Sequence, residues 1–167
     1  MANTNDAFGA VPVKTEGKQS RVTYYTKKTG AALAPGDFVI ADGAGNVTIA
    51  TGGDGVTLLG VAAEYKASTD VTAIAVYDDP ETVFEIQASA DLQAADVFQN
   101  ANVVATALDS ALLQSKQALD SASLGTGITK QLKVLGLSKS PSAEWGSYAT
   151  ARVKINNHAL RAGVAGV

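Results

Sequence analysis

The sequence predicts an all-β protein with at most a minor helix, a β-barrel or sandwich-like body carrying an extended N-terminal arm. Three observations lead there. Short runs rich in β-branched and aromatic residues alternate apolar with polar, the period of a half-buried strand. Turn signals made of Gly, Pro and Asp separate these runs every ten or so residues, as in sandwiches and barrels. The apolar fraction, 46% of 167 residues, is enough for one core, and with aromatics at only 6% that core is built from small side chains.

Residues 1–20 hold Asn, Gly, Lys and small residues with Pro12 and no sustained period, and they read as an extended arm. A body over residues 21–160 and a small, flexible tail over 161–167 complete the expected organisation. In the body, VTYYTKK ends at Gly30. Pro35-Gly36 makes a turn, FVIA a strand, Asp42 to Asn46 a hairpin loop and VTIA its partner. LLGVAAEYK resumes after a turn over residues 52–55, with Gly60 marking a bulge or a close backbone approach. VTAIAVYDD is strand-like until Pro80, and TVFEIQA follows with Phe84 and Ile86 on one face and Glu85 and Gln87 on the other.

Residues 89–124 change character, with Ala, Leu, Gln and Asp dominant. A short helical turn fits Leu92 to Phe98. Residues 107–119 suit either a helix or a long packed loop. β character returns in KQLKVLGLS, then a turn with Pro141, Trp145 and Gly146. In YATARVKINNHAL, Ala149, Ala151, Val153 and Ile155 point one way and Tyr148, Thr150, Arg152, Lys154 and Asn156 the other.

Charge and composition narrow the function classes. Net charge is -3, and the 13 basic residues never form a run, so the footprint of a nucleic-acid binder is missing. Lys27-Lys28 reads as a solvated turn. Cysteine is absent, which excludes disulfides and thiolate metal sites. No segment approaches the ~20 apolar residues of a membrane-spanning helix, and the N-terminus lacks the pattern of a signal peptide, so a soluble protein is expected. Asn46-Val47-Thr48 matches a glycosylation pattern but has no secretion signal with it.

Chemistry finds little support. His158 is the only histidine, no GxSxG surrounds a serine, and the glycine-rich GGDG and GTG lack a phosphate-cradle ending. His158 reads as a strand-end cap or a subunit contact. Asp78 and Asp79 are neighbours, so on a strand they point to opposite faces and would need a bend to share an ion. Pro80 removes a ladder donor and restricts Asp79. Asp78, Asp79 and Pro80 are therefore read as a structural corner, with Asp79 capping a turn or pairing with Arg152 or Arg161. Trp145 and Tyr148 lie close enough in sequence for a sugar-stacking patch, but the aromatics read better as core edges and interface anchors. No catalytic, metal or cofactor-binding residue is assigned.

VYDDPETVFEIQA (76–88), DLQAADVFQNANVV (91–104) and LKVLGLSKSPSAEWGSYATARVKINNHAL (132–160) together resemble a group of small structural proteins of tailed bacteriophages. The resemblance spans roughly residues 30–160, and it departs from the pattern over 105–124. It implies a capsid decoration, or cement, protein on the outer shell of the virion. Its implied partner is the major capsid protein, its implied state a homotrimer, and it implies no cofactor, no nucleic acid and no catalysis. Phe8, Val11, Pro12 and Val13 of the arm, with Arg152 and His158, are then the candidate capsid or subunit contacts. A tail or connector component and a carbohydrate-binding module are the alternatives.

Overall fold

A computed structural model describes residues 3–13 and 20–161. The described residues are all-β apart from one 3-10 turn at Ala94–Asp96, which falls where a short helical turn was expected. Its strands are β1 (Val11–Pro12), β2 (Val22–Lys27), β3 (Phe38–Ala41), β4 (Asn46–Ile49), β5 (Gly60–Ala62), β6 (Ala73–Tyr77), β7 (Phe84–Gln87), β8 (Asp91–Leu92), β9 (Asn100–Val104), β10 (Ala118–Gly125), β11 (Leu132–Leu137), β12 (Gly146–Ser147) and β13 (Thr150–Ile155).

Two β units form the body. β2, β4, β3, β5 and β6 close into a barrel in which the β2–β4 pair is parallel and the other pairs are antiparallel. Leu33, Val39, Val47, Leu59, Ala62, Ile74 and Val76 form one buried cluster of this unit. The Asp42–Asn46 loop is held by the Asp42 carboxylate, which accepts from the N–H groups of Ala44 and Asn46 at 2.9 and 3.0 Å. Gly60 is a close approach, since a Cβ there would collide with the carbonyl oxygen of Tyr77 on the neighbouring strand.

The second unit is a six-stranded sheet in the order β1-β7-β13-β11-β9-β10. It curls on itself, because Ala88, just past β7, bridges Leu119 of β10 in parallel. β8 and β12 make a small separate pair. The alternation expected on β13 is realised, with Ala151, Val153 and Ile155 buried and Thr150, Arg152 and Lys154 half-buried.

The units share a core. Phe38, Leu58 and Val61 from the barrel side pack with Phe84, Ile86, Leu132, Val153 and Ile155 of the sheet. Phe38 meets Phe84 edge-on, with ring centroids 6.2 Å apart at 68°. This geometry suits two aromatic quadrupoles and anchors one unit on the other.

Of the two readings open to residues 107–119, the structure takes the packed loop: Asp109 and Gln114 bridge across a turn, and β10 has begun by Ala118. Two expectations need correction. Lys27 is not solvated but 1% exposed, with its ammonium donating to the carbonyl oxygens of Lys28 and Asp70 at 2.9 and 3.1 Å. The described part of the arm does not stand away from the body. Residues 3–13 run across both units, and Ala10 is a core residue. Val11 and Pro12 pair with Glu85 and Phe84 of β7. The remaining arm residues from 14 to 19, and the tail from 162 onward, lie outside the described residues.

Candidate functional site at the unit junction and the N-terminal groove

The corner at Asp78–Pro80 is where the barrel ends and the sheet begins. β6 stops at Tyr77 and β7 starts at Phe84. Asp78 is 1% exposed. Its carboxylate accepts from Arg21 Nε at 2.8 Å and from the Tyr25 hydroxyl at 2.6 Å, and Arg21 Nη2 donates to its backbone oxygen at 3.3 Å. Burial works to raise the Asp78 carboxyl, and the hydrogen bonds from Arg21, Tyr25 and Thr23 outweigh it, holding it below its ordinary value. Tyr25 is pushed up to about 12, first by burial and then by its bond to Asp78.

Asp79 turns the other way and caps the bend, accepting from the Glu81 N–H at 2.9 Å, while the Thr82 N–H donates to its carbonyl oxygen at 3.0 Å. The two carboxylates therefore have separate tasks. The pairings once open to Asp79 go elsewhere: Arg161 reaches Glu81 at 3.5 Å, and Arg152 stands opposite Glu85 with a buried Nε that has no hydrogen-bond partner. Among the described residues, no group of three or more His, Asp or Glu is placed to hold a metal ion. No helix among them is long and apolar enough to cross a membrane.

The N-terminal segment is tied down along its length. Asn3 Nδ2 donates to the carbonyl oxygens of Glu144 and Ser147, each at 3.1 Å. The Gln87 side-chain amide then acts as a strand partner, with Oε1 accepting from the Asp6 N–H at 2.9 Å and Nε2 donating to the Thr4 oxygen at 2.8 Å. Asp6 also pairs with Lys116 at 2.9 Å. Gly9 passes at φ +75°, where a Cβ would strike Ser115 and the Gly36 carbonyl, so both the conformation and the space call for glycine. The N–H groups of Ala10 and Val13 donate to Gly36 and Val83.

Beside this segment lies an open groove of about 370 Å³ whose lining includes Phe8, Val11, Pro12, Tyr77, Leu112 and Leu113. Val11, Leu112 and Leu113 remain 47%, 66% and 42% exposed. Leu113 has φ +52°, a left-handed conformation that costs a residue with a Cβ roughly 1–2 kcal/mol. A strained backbone that presents an apolar side chain to solvent marks a candidate functional position.

Of the candidate contacts, Phe8, Val11 and Pro12 thus line this groove, and Val13 lies beside it on the Val83 carbonyl. Arg152 sits apart on β13. His158 is 0% exposed and so offers no surface for a subunit contact; it packs inside the junction. Trp145 packs against the shared core rather than forming an open stacking platform.

Sequence reasoning missed Arg21 and Tyr25 as the partners of Asp78, Gln87 as the clasp of the N-terminal segment, and Leu112-Leu113. Adjacent leucines in a turn otherwise made of Asp, Ser, Ala and Gln are a readable signal for the last. Gln87 is hidden because its burial comes from a segment remote in sequence. No protein-family model and no curated protein matches the chain.

Proposed function

We propose that this chain is a bacteriophage capsid decoration protein that binds the outer surface of the head and stabilises the shell by clamping neighbouring major capsid protein subunits. The observation that carries the reading is the apolar groove beside the N-terminal segment. Val11, Leu112 and Leu113 stay exposed there on a scaffold fixed by Gly9, Ala10 and Gln87. A clamp works by area and shape, and exposed apolar anchors on a rigid frame supply both. The resemblance of roughly residues 30–160, outside 105–124, to small phage structural proteins supports the same reading.

In this reading the protein acts as a homotrimer on the virion, without cofactor, nucleic acid or catalytic step. The arm contributes through residues docked on the body, so the body and the segment 3–13 present one surface. The test is the copy number of the chain in purified virions, by quantitative mass spectrometry against the major coat protein. Hundreds of copies near parity with coat subunits support decoration, a dozen or fewer assign the chain to a tail or connector, and absence overturns the virion reading. A Leu112→Ser/Leu113→Ser double variant is expected to fold normally and lose capsid binding.

A further inference from the structure

His158 closes a strap, residues 156–161, across the junction. The Leu58 N–H donates to the Asn157 oxygen at 2.9 Å and the Ala159 N–H to the Leu58 oxygen at 2.8 Å, so the strap pairs with the barrel side. The Asn156 side chain donates to the carbonyl oxygens of Ile128 and Lys130 at 3.0 and 2.9 Å, tying the strap to the sheet side. Between these anchors the imidazole is fully buried. Its Nδ1 accepts from the Leu160 N–H at 3.1 Å, and its Nε2 is buried with no partner.

That geometry fixes the protonation state. An Nδ1 that accepts a backbone N–H carries no proton, so the ring is the neutral Nε2–H tautomer. A second proton has to enter at Nδ1, where it would face the Leu160 N–H, donor against donor. The charged ring would also lie without solvent and without an acceptor at Nε2.

The charged groups around the ring do not rescue it. Arg161 of the strap and Arg21 before β2 oppose a positive ring, while Asp78 and Asp79 of the corner favour one. Asp78 is already engaged by Arg21 and Tyr25, and Asp79 by the Glu81 N–H. We propose that the 156–161 strap is an acid-released latch, in which protonation of His158 at Nδ1 breaks its turn and frees the strap from Leu58 while the barrel and sheet stay folded. Burial, with Arg161 next, lowers His158 from its ordinary value to about 4, consistent with a ring that must leave its site in order to charge.

The experiment is NMR of the full chain with labelled histidine, following the His158 ring and the amides of Leu58, Ala159 and Leu160 from pH 7 to pH 3.5. The strap amides are expected to shift together with the ring, at a midpoint below the ordinary histidine value of ~6.5, while amides of β3 and β4 stay unchanged. A His158→Asn variant keeps an acceptor for the Leu160 N–H and cannot take up the proton, so its strap amides should stay closed through that window. A ring that titrates near its ordinary value with no change in the strap would overturn the latch. So would the same strap transition in His158→Asn, or one cooperative unfolding of the whole molecule at the ring's midpoint. If the variant does not fold, the wild-type ring and strap midpoints still decide, since uncoupled midpoints reject the proposal.

Discussion

The barrel and the sheet solve the same problem in different ways. Barrel strands pair mainly by backbone and close on themselves, with all five strands drawn from residues 22–77. The sheet gathers β1 from the N-terminus and the rest from residues 84–155, and its ladder is interrupted between Val134 and Gly136 and between Asp120 and Gly125. Side chains support the ladder around β9 and β10. The Asn102 N–H donates to Ser123 Oγ at 2.7 Å, the Ala122 N–H to Asp120 Oδ1 at 3.1 Å, and the Val103 N–H to Gln131 Oε1 at 2.9 Å. A closed ladder satisfies its own donors and acceptors. A bulged and curled one depends on particular amides and hydroxyls, and those are its weak points.

The largest expected effect tests the seam the two units share. Phe84→Ala would remove one ring of the edge-on pair and open a cavity in the common core, with a loss of about 3–5 kcal/mol in denaturant unfolding. Should the loss come out under about 1 kcal/mol, the units would have separate cores. Gln131→Leu tests the sheet's reliance on side chains. It strands the Val103 N–H and the Thr51 carbonyl now bonded by the Gln131 amide. We expect about 2–4 kcal/mol of destabilisation, with hydrogen exchange rising first around β9 while β3 and β4 stay protected. Uniform loss across both units would erase the contrast.

Asp78→Ala probes the corner, at an expected cost of about 2 kcal/mol from the lost hydrogen bonds of a buried carboxylate. Its pH dependence has a definite sign. A carboxyl held below its unfolded value stabilises the fold above about pH 4 and loses that contribution as the pH falls further. The wild-type and variant stability curves should therefore converge in acid, which urea melts between pH 7 and pH 2.5 would show. Gln87→Leu should cost about 1 kcal/mol and mainly release the N-terminal segment, seen as faster exchange at Asp6, Ala10 and Val13. Smallest of all, Lys154→Ala breaks the exposed 2.6 Å pair with Glu81 and should change stability by less than about 1 kcal/mol.

The same contrast explains what could be read in the sequence. FVIA, AIAVY, FEIQ, LKVLGL and TARVKI announced themselves because backbone ladders want β-branched and aromatic residues in alternation. β10 did not. ALDSASLG has the Ser, Asp and Gly content of a loop, and it is a strand because Ser123 and Asp120 place side-chain oxygens in hydrogen bonds at its bulge while Ser121 exchanges bonds with Ser89 and Ala90 on its other side. β9, NANVV, was masked in the same way by Asn100 and Asn102, whose amides reach Gly127 and Asp54. At the site, Pro80 and the paired aspartates gave the corner away. Arg21, Tyr25 and the docking of the 3–13 segment on the body could not be found, because a partner more than fifty residues away leaves no local period.

The docking of residues 3–13 has a consequence for synthesis. These residues leave the ribosome before Gln87, Glu85, Val83, Lys116, Glu144 and Ser147, which hold them. The barrel can close as soon as Tyr77 has emerged, since domains form as units in order of appearance. The 3–13 segment is thus made before the barrel yet is seated after it. Until then it trails beside a finished barrel as an unpaired strand, and the interval before Ser147 is made is when it is most open to capture by a chaperone or by another nascent copy.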